Sequence, residues 1–353
     1  MFADFTTQLR AGQNLGSEQV MAAVRQLTDP ALPPEPKADF LAALAIKGES
    51  VEEIAGFARE LRELSLPVPL SSEIRKREIL DVCGTGGDRL NTFNISTTVA
   101  ILCAAAGVVV AKHGNRAITS QSGSADVLEA LGIPVDQTPE QVAHALQERG
   151  FAFLFAPRFH PAFKAIAPAR KLCAERGQRT IFNLLGPLLN PARPSAQLVG
   201  VPRPQWCEPV ARTLQTLGVR RGLVVTGEVP TGAESAPAFL DELSTLGPNH
   251  VAEFYQERGF GRSTWEPGHF PVKPAALSDL AGGDAVLNAA LIQAVLAGRD
   301  RGPKRDAVLL NAGAALFVAG AARSIGDGWE MAAATIDRGQ ATEKLRELAQ
   351  GRS

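Results

Sequence analysis

Ile79-Leu80-Asp81-Val82-Cys83, then Gly84-Thr85-Gly86-Gly87-Asp88, a helix-forming run from Ser96 to Ala106, and a second β-branched run at Val108-Val109-Val110-Ala111 decide the fold. Each apolar run is too short for a helix and rich in Val and Ile, as a buried strand requires. Strand, loop, helix and strand in that order form a βαβ unit, and such crossovers are right-handed and join parallel strands. The glycine loop then falls at the carboxyl end of the first strand, where open α/β sheets take their ligands.

Working outward, further helices are expected near Ser124 to Leu131 and from Pro139 to Glu148. In the second of these, Thr138 and Gln141 have cap spacing, Pro139 takes the first turn and Gly150 follows the end. Strands are expected at Phe151 to Phe155, Leu198 to Val201, Leu223 to Thr226 and Val251 to Tyr255, followed by a helical C-terminal part from about Ala285. Upstream, Phe2 to about Leu64 shows only helical periodicity, in Val20-Met21-Val24-Leu27 and Phe40-Leu41-Leu44, enough for about four short helices. Ser50-Val51-Glu52-Glu53 has the spacing of a capping box. Pro67 and Pro69 close that segment. The expected fold class is α/β: a small all-helical N-terminal domain, 1–70, and a larger α/β domain, 75–353, with a mostly parallel central sheet flanked by helices.

Composition narrows the functions. The 353 residues are 45% hydrophobic, and 36 Lys plus Arg balance 37 Asp plus Glu, for a net charge of -1. No basic tract suggests a nucleic-acid partner, so an anionic ligand would be held by local chemistry. Cys83, Cys103, Cys173 and Cys207 are far apart and lack C-x-x-C spacing, which suits reduced core thiols in a cytoplasmic protein. The N-terminal residues carry no secretory pattern, and no segment offers the roughly 18 uncharged apolar residues of a membrane span.

The loop at Gly84 to Phe93 has three glycines within four positions, so its backbone can approach a phosphate closely. Asn94-Ile95-Ser96-Thr97 then opens an apolar helix whose first amides and hydroxyls can face an anion. A glycine cluster alone is equally a structural turn with a Ser cap. A dinucleotide fingerprint would need glycine where Arg89 stands, and no Gly-Lys-Ser or Gly-Lys-Thr is present. The second strand ends in Lys112-His113-Gly114-Asn115-Arg116-Ala117-Ile118-Thr119-Ser120-Gln121-Ser122-Gly123-Ser124-Ala125-Asp126, which adds two cations and many small hydrogen-bonding groups at a neighbouring strand end. His113 can act chemically or simply satisfy a carbonyl.

Together with Thr92-Phe93-Asn94-Ile95-Ser96-Thr97, Phe159-His160-Pro161-Ala162, Arg179 to Pro187 and Asp306 to Ala312, these motifs resemble the anthranilate phosphoribosyltransferases over nearly the whole chain. The resemblance implies transfer of phosphoribose from phosphoribosyl pyrophosphate (PRPP) to the amine of anthranilate, with release of pyrophosphate, in tryptophan biosynthesis. It implies PRPP contacts from Gly84, Gly87, Asp88, Thr92, Asn94, Ile95, Ser96, Thr97, Lys112, His113, Gly114, Asn115, Arg116, Ala117, Ile118, Thr119, Ser120 and Ser124. Anthranilate would meet Gly84, Asn115, His160 and Arg170. Magnesium, two ions per subunit, would be held by Ser96, Asp241 and Glu242; an adjacent acid pair read without that context is a solvated surface. It further implies a homodimer through the helical domain, which a helix around 160–190 would complete. No catalytic acid or base is assigned, because a neutral aniline is already nucleophilic and positioning with electrostatics suffices.

The sequence departs from the family pattern at Arg89, in the longer Lys171 to Gln178 segment, and at Val224-Val225-Thr226-Gly227 with its insertion from Glu228 to Ala238. Rival readings are a pyrimidine nucleoside phosphorylase of related fold and an inactive paralogue that binds nucleic acid. Arg89 is expected to add a phosphate contact that offsets the cost of an arginine in a glycine position, roughly 1 to 2 kcal/mol if φ is positive. An Arg89→Gly variant should therefore show a raised KM for PRPP; an unchanged value refutes the contact.

Overall fold

The structure, a computed structural model, describes residues 2–117, 121–231, 236–256 and 259–350. Four helices come first: α1 (Phe2–Arg10), α2 (Ser17–Thr28), α3 (Pro34–Lys47) and α4 (Val51–Glu63). The Ser50 capping box forms, with Ser50 Oγ accepting from the Glu53 amide and Glu53 reaching back to the Ser50 amide. Glu53 is fully buried and also takes the Leu15 amide at 2.9 Å and the Lys47 ammonium at 2.7 Å, so one cap acid ties α3 and α4 to the loop before α2.

A short helix, α5 (Ser72–Lys76), leads into β1 (Ile79–Gly84), α6 (Ile95–Ala105), β2 (Val109–Gly114), α7 (Ser124–Ala130), α8 (Pro139–Arg149) and β3 (Phe151–Phe155). Next come α9 (Ala156–Phe159), α10 (Ala167–Glu175), α11 (Phe182–Leu185), β4 (Ala196–Gly200), α12 (Cys207–Thr216) and β5 (Arg221–Val229). The strands β6 (Ala238–Leu240), β7 (Asn249–Tyr255) and β8 (Gly259–Trp265) precede α13 (Ala285–Leu296), α14 (Pro303–Val318), α15 (Ile325–Asp337) and α16 (Gln340–Ala349). The α8 caps match expectation: Thr138 accepts from Gln141, and Gly150 adopts φ +66°.

The sheet runs β3-β2-β1-β4-β5-β7-β8, parallel from β3 to β5 and antiparallel beyond, with β6 folded back on β5. Two strands, β6 and β8, were not expected. The first has three residues, and the second reads Gly259-Phe260-Gly261-Arg262-Ser263-Thr264-Trp265, with little apolar alternation because it is an edge. The insertion at 228–238 extends β5 and returns as β6, so it delivers the chain directly into Asp241.

Strand residues feed three apolar clusters, the smallest of which joins Ile79, Val109, Ala111, Ala152 and Leu154 to α5 and α8. Leu80, Val82, Val110, Leu198 and Leu223 pack against α6 and the C-terminal helices. Cys83, Val199, Val224 and Phe254 pack with the N-terminal helices, α10 and α12. The helix α10 lies on α3, where the Cys173 thiol reaches Ala38 O and Lys37 Nζ bonds Ala165 O at 3.0 Å nearby. All four cysteines are free and buried. No described helix is long and apolar enough to cross a membrane.

Strand order reverses between β1 and β4, which makes their carboxyl ends the crevice of the sheet. These ends are Gly84 and Gly200, direct partners in register. A Cβ on Gly200 would lie 1.5 Å from Asp241 O, and one on Gly84 would lie 2.5 Å from Asp241 Oδ2. Backbone cannot yield to such overlap. Gly200→Ala should lower stability by at least about 1–3 kcal/mol, read as a fall in thermal midpoint. Gly268→Ala, at a site with no heavy atom within 4 Å, should leave the midpoint in place.

Candidate active site

Asp241 occupies the crevice because glycines on both neighbouring strands make room for it. Its Oδ2 accepts the Gly86 amide at 2.6 Å, and Thr85 N donates to Gly200 O at 2.9 Å, which fixes the glycine loop against the switch point. Gly86 and Gly87 have φ of +74° and +98°, as the motif requires, and Arg89 and Asn91 follow at +60° and +52°. Arg89 thus keeps a left-handed backbone without being glycine, and its side chain is exposed.

Glu242, next along, accepts the Ser96 amide at 3.2 Å and the Ser96 hydroxyl as well, at the first turn of α6. Asp88 completes a group of three acids by hydrogen bonding to Asp241. Burial, reinforced by the charges of Asp88 and Glu242, raises Asp241 well above the carboxylate range. Burial and the Asp88 charge push Glu242 to about 7 although Lys112 opposes them. Lys112, 2% exposed, is held by Val82 O at 2.7 Å and Ser96 Oγ at 3.4 Å. Beneath it, burial lifts the carboxyl of Asp81 to about 6, against the pull of Lys112 and Asn190. Three acids facing one ammonium leave surplus negative charge that a cation would relieve.

No group of three or more His, Cys, Asp or Glu among the described residues forms a ready metal cage. Two or three carboxylate oxygens with open positions suit magnesium, which keeps waters and binds through substrate phosphates. The Thr85 hydroxyl is buried without a partner among the described residues and can serve as a further oxygen ligand.

Around this centre Thr92 bridges to Ala281, and Phe93 N bonds Leu280 O, so the loop leading to α6 is clamped from the C-terminal half. Asn94 donates to Ser122 O at 3.2 Å and accepts from Asn288 at 2.9 Å. Asn288 lay outside the sequence reading, since a single Asn in an apolar helix carries no local signal. Ile95 and Thr97 have buried side chains, leaving backbone amides for a ligand. Gly114 leaves space for the Ser124 hydroxyl, which donates to Asn115 O at 3.2 Å. The Arg116 guanidinium is turned onto Asp126 and Glu129 at 3.0 and 2.6 Å and lies over Phe155. Ile118, Thr119 and Ser120 lie outside the described residues.

Of the residues expected at the acceptor, His160 and Arg170 share a second cluster with His113, Phe163 and Phe182. His113 and His160 meet Nε2 to Nε2 at 3.1 Å, and both are buried. His160 stacks on Phe163, Phe163 meets Phe182 edge-on, and Arg170 lies 5.1 Å over the Phe182 ring. Burial is the main cause that lowers His113 to about 3 and His160 to about 4, followed by His160 and Arg62 respectively, so both imidazoles are neutral. Phe163 and Phe182 were not singled out from sequence, because residues 160, 163, 170 and 182 come onto one wall only in the fold.

Comparison with known proteins agrees with this geometry. The model for the Glycosyl transferase family, a/b domain, matches residues 76–342, and that for its helical bundle domain matches residues 3–65. An anthranilate phosphoribosyltransferase of Anaeromyxobacter dehalogenans (strain 2CP-C) is 46% identical over 341 residues, covering 97% of this chain and 96% of its own. The crystal structure of the enzyme from Thermus thermophilus superposes with a TM-score of 0.86 at 41% identity, covering 98% of each chain. The Saccharomyces cerevisiae enzyme in complex with PRPP and Mg gives 0.84 at 26% identity, over 98% of this chain and 96% of that one. The chain belongs to the anthranilate phosphoribosyltransferase family.

Proposed function

We propose that this chain carries out its family's reaction in the crevice at β1 and β4. PRPP would lie on the glycine loop and the first turn of α6, and anthranilate would lie against the His160–Phe163–Phe182 wall. The observation that carries this reading is the convergence of Asp88, Asp241, Glu242, Ser96 and Lys112 at the one point where the sheet changes direction. Magnesium, two ions per subunit, would be held by Asp241, Glu242 and Ser96, and when bound it neutralises the leaving pyrophosphate.

The chain's own residues do the rest by position. Amides of the loop and of Ile95 to Thr97 cradle phosphate oxygens, and Lys112 supplies a fixed positive charge beneath them. Arg170 marks the acceptor carboxylate, for which a guanidinium is geometrically suited. Neutral His113 and His160 add no competing cation and cannot protonate the attacking amine. The amine lone pair forms the new bond to the sugar carbon as the carbon–oxygen bond breaks, and pyrophosphate leaves with that electron pair. The amine proton passes to solvent.

The division of labour we infer is a helical unit, 1–70 with the segment around 160–190, closing over an α/β unit, 75–353. Ile46 on α3, 76% exposed, supports pairing of two such helical units in a homodimer. The reduced, buried thiols suit the cytoplasm.

The decisive assay is loss of anthranilate fluorescence in the presence of PRPP, with and without magnesium. No turnover in either condition refutes the reading, and nucleoside phosphorolysis instead would favour the rival. Arg170→Ala should raise the KM for anthranilate at least tenfold while leaving that for PRPP nearly unchanged; equal loss of both counts against its role. Because Glu242 titrates near 7 and must be ionised to hold a cation, protons compete with magnesium below that pH. Apparent magnesium affinity should fall as pH drops from 8 to 6, by up to about tenfold per unit, and a flat profile in a direct magnesium titration would contradict this.

A further inference from the structure

Behind the acceptor wall, where the helical part joins the sheet, a cavity of about 420 Å³ is lined by Arg62, Glu63, Ser65, Arg75, Pro191 and Arg193 among others. Its guanidinium groups come from three separate pieces of chain: the end of α4, α5, and the loop before β4. Arg193 pairs with Glu63 at 2.7 Å, which uses the one carboxylate lining the cavity. Arg62 and Arg75 bond only carbonyls there, Leu188 O at 2.6 Å and Ala192 O at 2.8 Å, and neither has an ion pair among the described residues. Arg62 is 8% exposed.

Of the three, Arg62 is buried while Arg75 and Arg193 are exposed, and a buried guanidinium beside a like charge, here that of Arg193, is costly even where a carboxylate such as Glu63 partly offsets it. The consequence is visible in Arg62, lowered to about 10 by burial and by the nearby Arg193 charge against the pull of Glu63, and in Arg75, lowered by burial and Arg193. Three guanidiniums carried by separate pieces of chain on one cavity suit a phosphate, which offers oxygens on several sides, better than a planar carboxylate. The volume exceeds what one bare phosphate fills, so a hydrated phosphate or a small phosphomonoester fits.

We propose that this junction cavity is a second anion site, separate from the PRPP cradle, that takes a phosphate group between Arg62, Arg75 and Arg193. An occupant would cross-link α4, α5 and the loop before β4. It would also brace the segment next to His160, since Leu66 N bonds Phe159 O at 2.9 Å along the cavity's linker.

The test is isothermal titration of the whole protein with inorganic phosphate at constant ionic strength set by chloride. The cradle is first filled with saturating PRPP and magnesium, whose own binding heat is recorded separately. The expected result is one phosphate per chain, weakened at least tenfold in Arg75→Gln and in Arg193→Gln. Phosphate should raise the thermal midpoint of the parent and not of either variant, while the phosphate-free midpoints agree. Ribose 5-phosphate runs as a parallel arm, and tighter binding of one ligand identifies the site as taking the free anion or the ester. Phosphate binding that vanishes once PRPP is present, or that persists unchanged in both variants, overturns the proposal. Absence of any PRPP heat would instead count against the cradle described above, so the two failures are distinguishable.

Discussion

Everything at the centre of this molecule depends on the contact between the Asp241 main chain and the paired glycines that end β1 and β4. The carbonyl of Asp241 sits where a side chain of residue 200 would be, and its carboxylate reaches the amide of Gly86. That contact links three distant parts of the chain: the glycine loop, the crossing strand, and the loop that follows β6. It also explains why the carboxylates are costly. Held out of water beside Asp88 and each other, they are pushed toward protonation, a cost that a bound cation would relieve.

The cluster around His160 is built on a different principle. Its side chains are neutral rings, and burial keeps them neutral. A single guanidinium, that of Arg170, lies over the ring of Phe182.

The fold was largely legible along the chain. The Ser50 and Thr138 caps and the βαβ unit appear where periodicity and cap spacing put them, because these signals act within a few residues and do not depend on what packs above. The strands β6 and β8 were not legible. Each gains its identity from a neighbour, the first from β5 and the second from β7, and neither carries an alternation of its own. The glycine pattern raised a positive φ at Arg89 only as a condition, and that of Asn91 carried no sequence signal.

By itself the sequence determined that a glycine loop, a hydroxyl-rich strand end and an acid pair exist, since residue type and spacing fix what a loop can bind. It did not determine their neighbours. That Asn288 holds Asn94, that Arg116 directs its charge onto Asp126 and Glu129, and that His113 leans on His160 are facts of tertiary structure. Local spacing governs backbone conformation, but partner choice and titration depend on groups 10 to nearly 200 residues away that only packing brings within reach.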